Sequence, residues 1–169
     1  ALWSVALGSL VDPADRTLYL MRLAEDRAAE AQWRADAIRA LASVKEEGVV
    51  DGLVRILESE PRLTIALPPG KPTDQQIMAL RYAQARDVAG WAAGALGLLD
   101  ARTSLPLLLR TAEDPNDFFL RLMSIRSLVS WKVPEAYPVL VRRLEDPLPD
   151  IRLLALTGLA WLGDPKAVD

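Results

Sequence analysis

The sequence predicts an all-α chain, a solenoid of stacked helical hairpins, on three observations. First, a pattern recurs: Arg121 returns as Arg152 and Leu128 as Leu159, an offset of 31 residues in both cases. A fixed period in that range marks a helical array in which each unit buries its apolar face on the next. Second, apolar stretches of helix length alternate with short turns built from Asp, Pro and Gly, at 12–15, 45–48, 100–104, 114–117 and 146–150. Third, the chain is 51% hydrophobic and dominated by Leu, Ala and Val, which is enough to bury a core. On this reading residues 1–169 form one domain of about four and a half repeats, and Leu41, Leu96, Leu128 and Leu159 occupy equivalent buried positions.

The elements follow in order. Residues 1–10 have helical apolar spacing, Asp12-Pro13-Ala14-Asp15 breaks them, and residues 18–26 return as a second helix. In the second hairpin Trp33, Ala37, Ile38 and Leu41 give the stripe of a core-facing helix, and 49–58 is its return. Residues 60–72 depart from the repeat. There Pro61, Pro68, Pro69 and Pro72, with Gly70, forbid a continuous helix, because proline lacks the amide donor and clashes with the preceding turn. Thr73 and Gln76 have capping-box spacing. From there a helix is expected to run unbroken to Leu99, with Gly90, Gly94 and Gly97 letting a neighbouring helix come close. The third return spans 105–113, with Pro106 in its first turn. The fourth hairpin is 118–131 with 135–145, and Asp150 is expected to cap a last helix over 151–162. That helix has no return partner in the sequence, which leaves an apolar face to cover and implies that more repeats follow in a longer chain.

The run Asp146-Pro-Leu-Pro-Asp-Ile-Arg152, continuing through Leu159 to Val168, closely resembles the short bacterial HEAT repeat, also seen in phycobilisome-lyase-type proteins. The resemblance extends through 114–145 and more loosely through 85–113, 32–58 and 1–26. In that family an Asp-Pro separator precedes an Arg early in the first helix. Asp146 with Arg152 and Asp114 with Arg121 match, and Arg34 matches without the Asp-Pro. Ala89 stands where the third Arg would be, so a polar ladder between repeats is expected to break there. The resemblance implies a right-handed array whose return helices line a concave face. It says little of function, since such arrays serve as scaffolds, adaptors and enzyme subunits alike.

Chemistry is constrained by what is missing. Without Cys or His the chain lacks thiolate chemistry, disulfides, the commonest general base and the commonest metal ligand. Asp and Glu fall mostly at caps and turns, and no phosphate loop, nucleotide fingerprint or metal-ligand spacing is present. No catalytic residue, cofactor or metal is therefore expected. No apolar run is long enough to span a membrane. A net charge of −3 counts against tight nonspecific nucleic-acid binding.

One column stands out among the return helices: Arg22 with Glu25, Arg55 with Glu58, Arg110 with Glu113, Arg142 with Glu145. At i, i+3 each pair can meet on its own helix, which makes the column either a solvated face or a contact for an acidic partner. Arg143, beside Arg142, and Arg62 and Lys71, in the insertion, join the candidate partner-binding residues. The tryptophans Trp3, Trp33, Trp91, Trp131 and Trp161 share no single repeat position, so they are expected to pack in the core or between repeats instead of forming a base-stacking platform. The favoured reading is a noncatalytic protein-interaction or scaffold module. Its rivals are a nucleic-acid-binding array of the alkylpurine DNA glycosylase type, and a lyase-like or regulatory subunit of an enzyme complex.

Overall fold

The computed structural model describes residues 12–46, 48–64 and 73–163, and among them there are helices and turns but no strand. In chain order the helices are α1 (Pro13–Glu25), α2 (Ala31–Leu41), α3 (Val49–Ser59), α4 (Asp74–Arg86), α5 (Val88–Leu98), α6 (Leu105–Thr111), α7 (Phe118–Trp131), α8 (Tyr137–Arg143) and α9 (Pro149–Trp161). Short 3-10 turns, Arg102–Ser104 and Pro134–Ala136, lead into α6 and α8. The expected helix over 1–10, Trp3 and the tip of the proline-rich insertion with Lys71 lie outside the described residues.

Local chemistry sets most of the boundaries. Asp12 accepts the Ala14 amide with Pro13 at the first helical position of α1. Thr73 and Gln76 form the reciprocal capping box expected of them. Proline sits in the first turn of α6, α8 and α9, where its missing donor costs little. Two expectations are corrected. The helix expected from 73 to 99 is split at Asp87, whose backbone is extended and whose side chain takes the Gly90 amide, so that it ends α4 and caps α5. Asp150 is not a cap. Pro149 opens α9 and Asp150 falls in its first turn, because the Asp146 carboxylate already accepts the Leu148 amide (3.1 Å) and turns the chain two residues earlier.

The helices form two rows. The first helices α2, α5, α7 and α9 stack side by side, and the return helices α1, α3, α6 and α8 each lie against the next first helix: α1 on α2, α3 on α5, α6 on α7, α8 on α9. Each return helix thus packs on the first helix that follows it and less on the first helix of its own expected hairpin. The additional helix α4 packs on α2. Leu41, Leu96 and Leu128 are 0% exposed and Leu159 is 1% exposed, as the repeat alignment requires.

The tightest contact in the stack is between α5 and α7. A β-carbon at Gly90, Gly94 or Gly97 would collide with Phe119, Met123 or Ser127 respectively. The absent side chains let the backbones close until Ser127 Oγ donates to the Ala93 carbonyl (3.0 Å) and Trp131 Nε1 to that of Gly97 (3.1 Å). Trp91 meets Phe119 edge-on at 5.3 Å. The expectation that every tryptophan packs inside is corrected: Trp33 is 52% exposed and Trp161 is 54% exposed, with Lys132 over its ring.

Candidate interaction surface

Between the two rows runs a ladder of buried arginines. Arg34, near the start of α2, gives Nε to the Ala24 carbonyl at the end of α1 (3.0 Å) and its two terminal nitrogens to Glu60 (2.8 and 2.6 Å). Arg121 in α7 repeats the arrangement. It binds the Asp114 carbonyl (2.8 Å) and both carboxylate oxygens of Asp146 (2.8 and 3.3 Å). Each arginine thus ties the end of the return helix before it to the carboxylate that follows the next return helix. The planar fork suits this, since two parallel N–H groups match one carboxylate. Arg152 keeps the carbonyl half of the role, donating to Asp146 O (2.8 Å) and Pro147 O (3.0 Å).

At Ala89 the ladder does not break as expected, because the insertion bridges the gap. Arg62 Nη1 donates to the Leu57 carbonyl (3.0 Å), and its Nε stands 3.6 Å from Asp114 Oδ2. The next amide, Leu63 N, donates to Asp117 Oδ2 (3.0 Å). Residues 60–64 therefore strap α3 to the start of α7, and Arg62 supplies the cation that position 89 lacks. The Arg62 guanidinium is thus engaged within the fold. Arg143 likewise donates to Asp146 Oδ2 (3.2 Å).

Behind the strap two carboxylates are buried together. Asp87 is 2% exposed and Asp117 is 1% exposed, and they cap α5 and α7. Asp87 Oδ1 accepts the Gly90 amide (2.7 Å), while its Oδ2 meets no donor among the described residues. Burial, and then the neighbouring Asp117, push the Asp87 carboxyl from 3.8 up to about 8, against the smaller opposing pull of the Gly90 amide and Arg62. At neutral pH the pair therefore holds a proton on Asp87, which turns an orphaned acceptor into a donor toward Asp117. Sequence reasoning missed this pair. The only available signal was an Asp three residues before a glycine, which has the form of an ordinary helix cap.

The exposed arginine column is ordered differently from the expected i, i+3 pairs. Arg55 of α3 pairs with Glu25 of α1 (2.9 Å), and Arg142 of α8 pairs with Glu113 after α6. The pairing runs from one return helix to the next. Arg22 and Arg110 are exposed and make no ion pair among the described residues, and Glu58 and Glu145 are likewise unpaired. Beside them α1 exposes Leu18 (51%) and Tyr19 (48%), and α8 exposes Val141 (41%).

Among the described residues no three acidic side chains stand close enough together to hold a metal ion, and no helix is long and apolar enough to cross a membrane. No curated protein matches the chain. Residues 117–169 match the family model of HEAT repeats, the stretch that holds α7, α8 and α9 with Arg121, Asp146 and Arg152. Over that stretch the chain is similar to HEAT repeats.

Proposed function

We propose that the chain is a noncatalytic protein-interaction module, a right-handed array that takes a protein partner along the exposed faces of α1, α3, α6 and α8. The observation that carries this reading is the alternation in the arginine column. Arg55 and Arg142 are held by glutamates of the neighbouring return helix, whereas Arg22 and Arg110 are exposed and have no ion pair among the described residues. An arginine without an internal carboxylate is available to one supplied from outside, and its fork holds that carboxylate in a defined direction. Exposed Leu18, Tyr19 and Val141 add apolar contact beside the charges. Glu25, Glu58, Glu113 and Glu145 interrupt the positive column, which favours a protein with discrete acidic groups over a continuous phosphate backbone.

The test is quantitative crosslinking of partners to the wild-type chain, to an Arg22→Ala/Arg110→Ala variant and to an Arg55→Ala/Arg142→Ala variant. The first variant should lose the partner and the salt dependence of its capture. The second should lose less, since its arginines already face glutamates. Equal capture by all three chains would refute the reading, and loss of nucleic acid instead of protein would replace it.

A further inference from the structure

The strap of residues 60–64 crosses from α3 to the start of α7 at the junction where Ala89 stands in place of a ladder arginine. Among the described residues, 61–64 form no backbone–backbone hydrogen bond, whereas the helices on either side are closed by their own main-chain ladders. Three polar contacts tie the strap down: Arg62 Nη1 on the Leu57 carbonyl, Arg62 Nε beside Asp114, and the Leu63 amide on Asp117 Oδ2. A segment fixed in this way opens at a lower free energy than the helices it joins.

The last of those contacts reaches the buried carboxylate pair. Asp117 has both oxygens occupied, Oδ1 by the Leu120 amide and Oδ2 by that of Leu63, whereas Asp87 Oδ2 meets no donor among the described residues. The charged groups that face Asp87 are Asp117, from the cap of α7, and Arg62, from the strap. Its own helix α5 carries no charged side chain. Arg86, at the end of α4, lies over Tyr82, while Arg121 is committed to Asp146 and Arg34 to Glu60. A single proton therefore joins the two carboxyls. Without it two negative charges share a site closed to water, and among the described residues only the Arg62 cation opposes them.

We propose that residues 60–64 are a proton-held latch: the strap stays closed while Asp87 and Asp117 share a proton, and when that proton passes to solvent the strap lifts, admits water to both carboxylates and releases Arg62. Water enters here because the strap is the one wall of the site without main-chain bonds of its own. The direction follows from what holds the proton. Burial is the main cause that raises the Asp87 carboxyl, and lifting the strap removes it, so the closed form binds the proton more tightly than the open one. The closed form is therefore favoured at low pH, and opening becomes easier as pH rises toward about 8. Arg62 pulls the other way, but its effect on Asp87 is the smallest of those acting there. The latch uses neither Arg22 nor Arg110, so it stands or falls separately from the reading above.

Amide hydrogen exchange at Leu63, followed by NMR at pH 6, 7 and 8, tests the latch. Expressed as a protection factor, the rate is freed of its intrinsic dependence on hydroxide. That factor should fall about 50-fold from pH 6 to pH 8, close to tenfold per unit with a taper near the closed-state value. Exchange at Leu63 should not respond to low urea, since lifting five residues exposes little surface. The Leu128 amide, in the middle of α7, should stay more protected and follow urea as global unfolding does. In Asp87→Asn the Leu63 protection factor should be constant over the same range. Asp87→Ser, which can also accept the Gly90 amide and does not ionise here, replaces that variant should it fail to fold. Three results overturn the proposal: a constant factor at Leu63 in the wild type, an equal fall in the variants, or a fall that only follows Leu128 and its urea dependence. In the last case pH acts on the whole fold and not on the strap.

Discussion

Replacing Asp87 by Asn tests the buried carboxylate pair directly. The asparagine keeps an oxygen for the Gly90 amide and puts an NH2 donor where the Asp87 proton faces Asp117, but it cannot ionise. In the wild type the folded carboxyl titrates at about 8, whereas the unfolded one titrates near 3.8. Between those values the folded state holds a proton that the unfolded state has released. Stability contributed by this group is therefore complete below the unfolded value and is lost as pH rises through the folded one. At about 1.4 kcal/mol per pH unit, tapering near the folded pKa, the wild type should lose about 2 kcal/mol relative to the variant between pH 6 and pH 8. Groups that titrate in both proteins cancel in the difference. Urea unfolding followed by circular dichroism at pH 6, 7 and 8 measures it, with the slope in urea checked for constancy. Replacing Asp117 by Asn should also flatten the dependence, by removing the second carboxyl. If wild type and Asp87→Asn run parallel from pH 6 to pH 8, the pair does not share a proton and the account of the orphaned Oδ2 is wrong.

Other perturbations separate buried from exposed contacts. Arg121→Ala leaves Asp146, whose side chain is 0% exposed, with its main cation gone, and should destabilise by about 3–5 kcal/mol in the same unfolding assay. Arg55→Ala removes a pair whose arginine is 65% exposed, and should change stability by less than about 1 kcal/mol. Gly97→Ala should destabilise by about 1–3 kcal/mol despite better helix propensity, because its β-carbon would lie 3.0 Å from the Ser127 Cα. Gly94→Ala, which meets only the flexible end of Met123, should be close to neutral. Arg62→Ala should raise amide exchange at Leu63, since the strap loses its hold on Asp114 while α5 and α7 stay protected.

How much was legible in advance depended on range. Leu41, Leu96, Leu128 and Leu159 were identifiable as core because a 31-residue offset and a 3.6-residue helical period are both properties of the linear chain. The capping box at Thr73 and the proline in the first turn of α6 act over three or four residues, and they stand as read. The glycines of α5 were read as a close approach, and the repeat pointed to a neighbouring helix.

Partnership was what the sequence left undetermined. Arg22, Arg55, Arg110 and Arg142 were visible as a column, but local spacing offered each a glutamate three residues on. Stacking brings the neighbouring helix's glutamate within 2.9 Å of Arg55, while Arg110 has none among the described residues. Ala89 read as a gap, and only the fold could carry Arg62 across to Asp114, 52 positions further along the chain. The Asp87–Asp117 pair is of the same kind. Each residue alone is a helix cap, and the raised pKa exists only because packing α5 on α7 removes water from both carboxyls together. Sequence determines what a residue can do within one helical turn or one repeat, because those distances are set by covalent geometry. Which charge meets which, and whether water reaches them, depends on helix packing, and that is decided only when the whole stack closes.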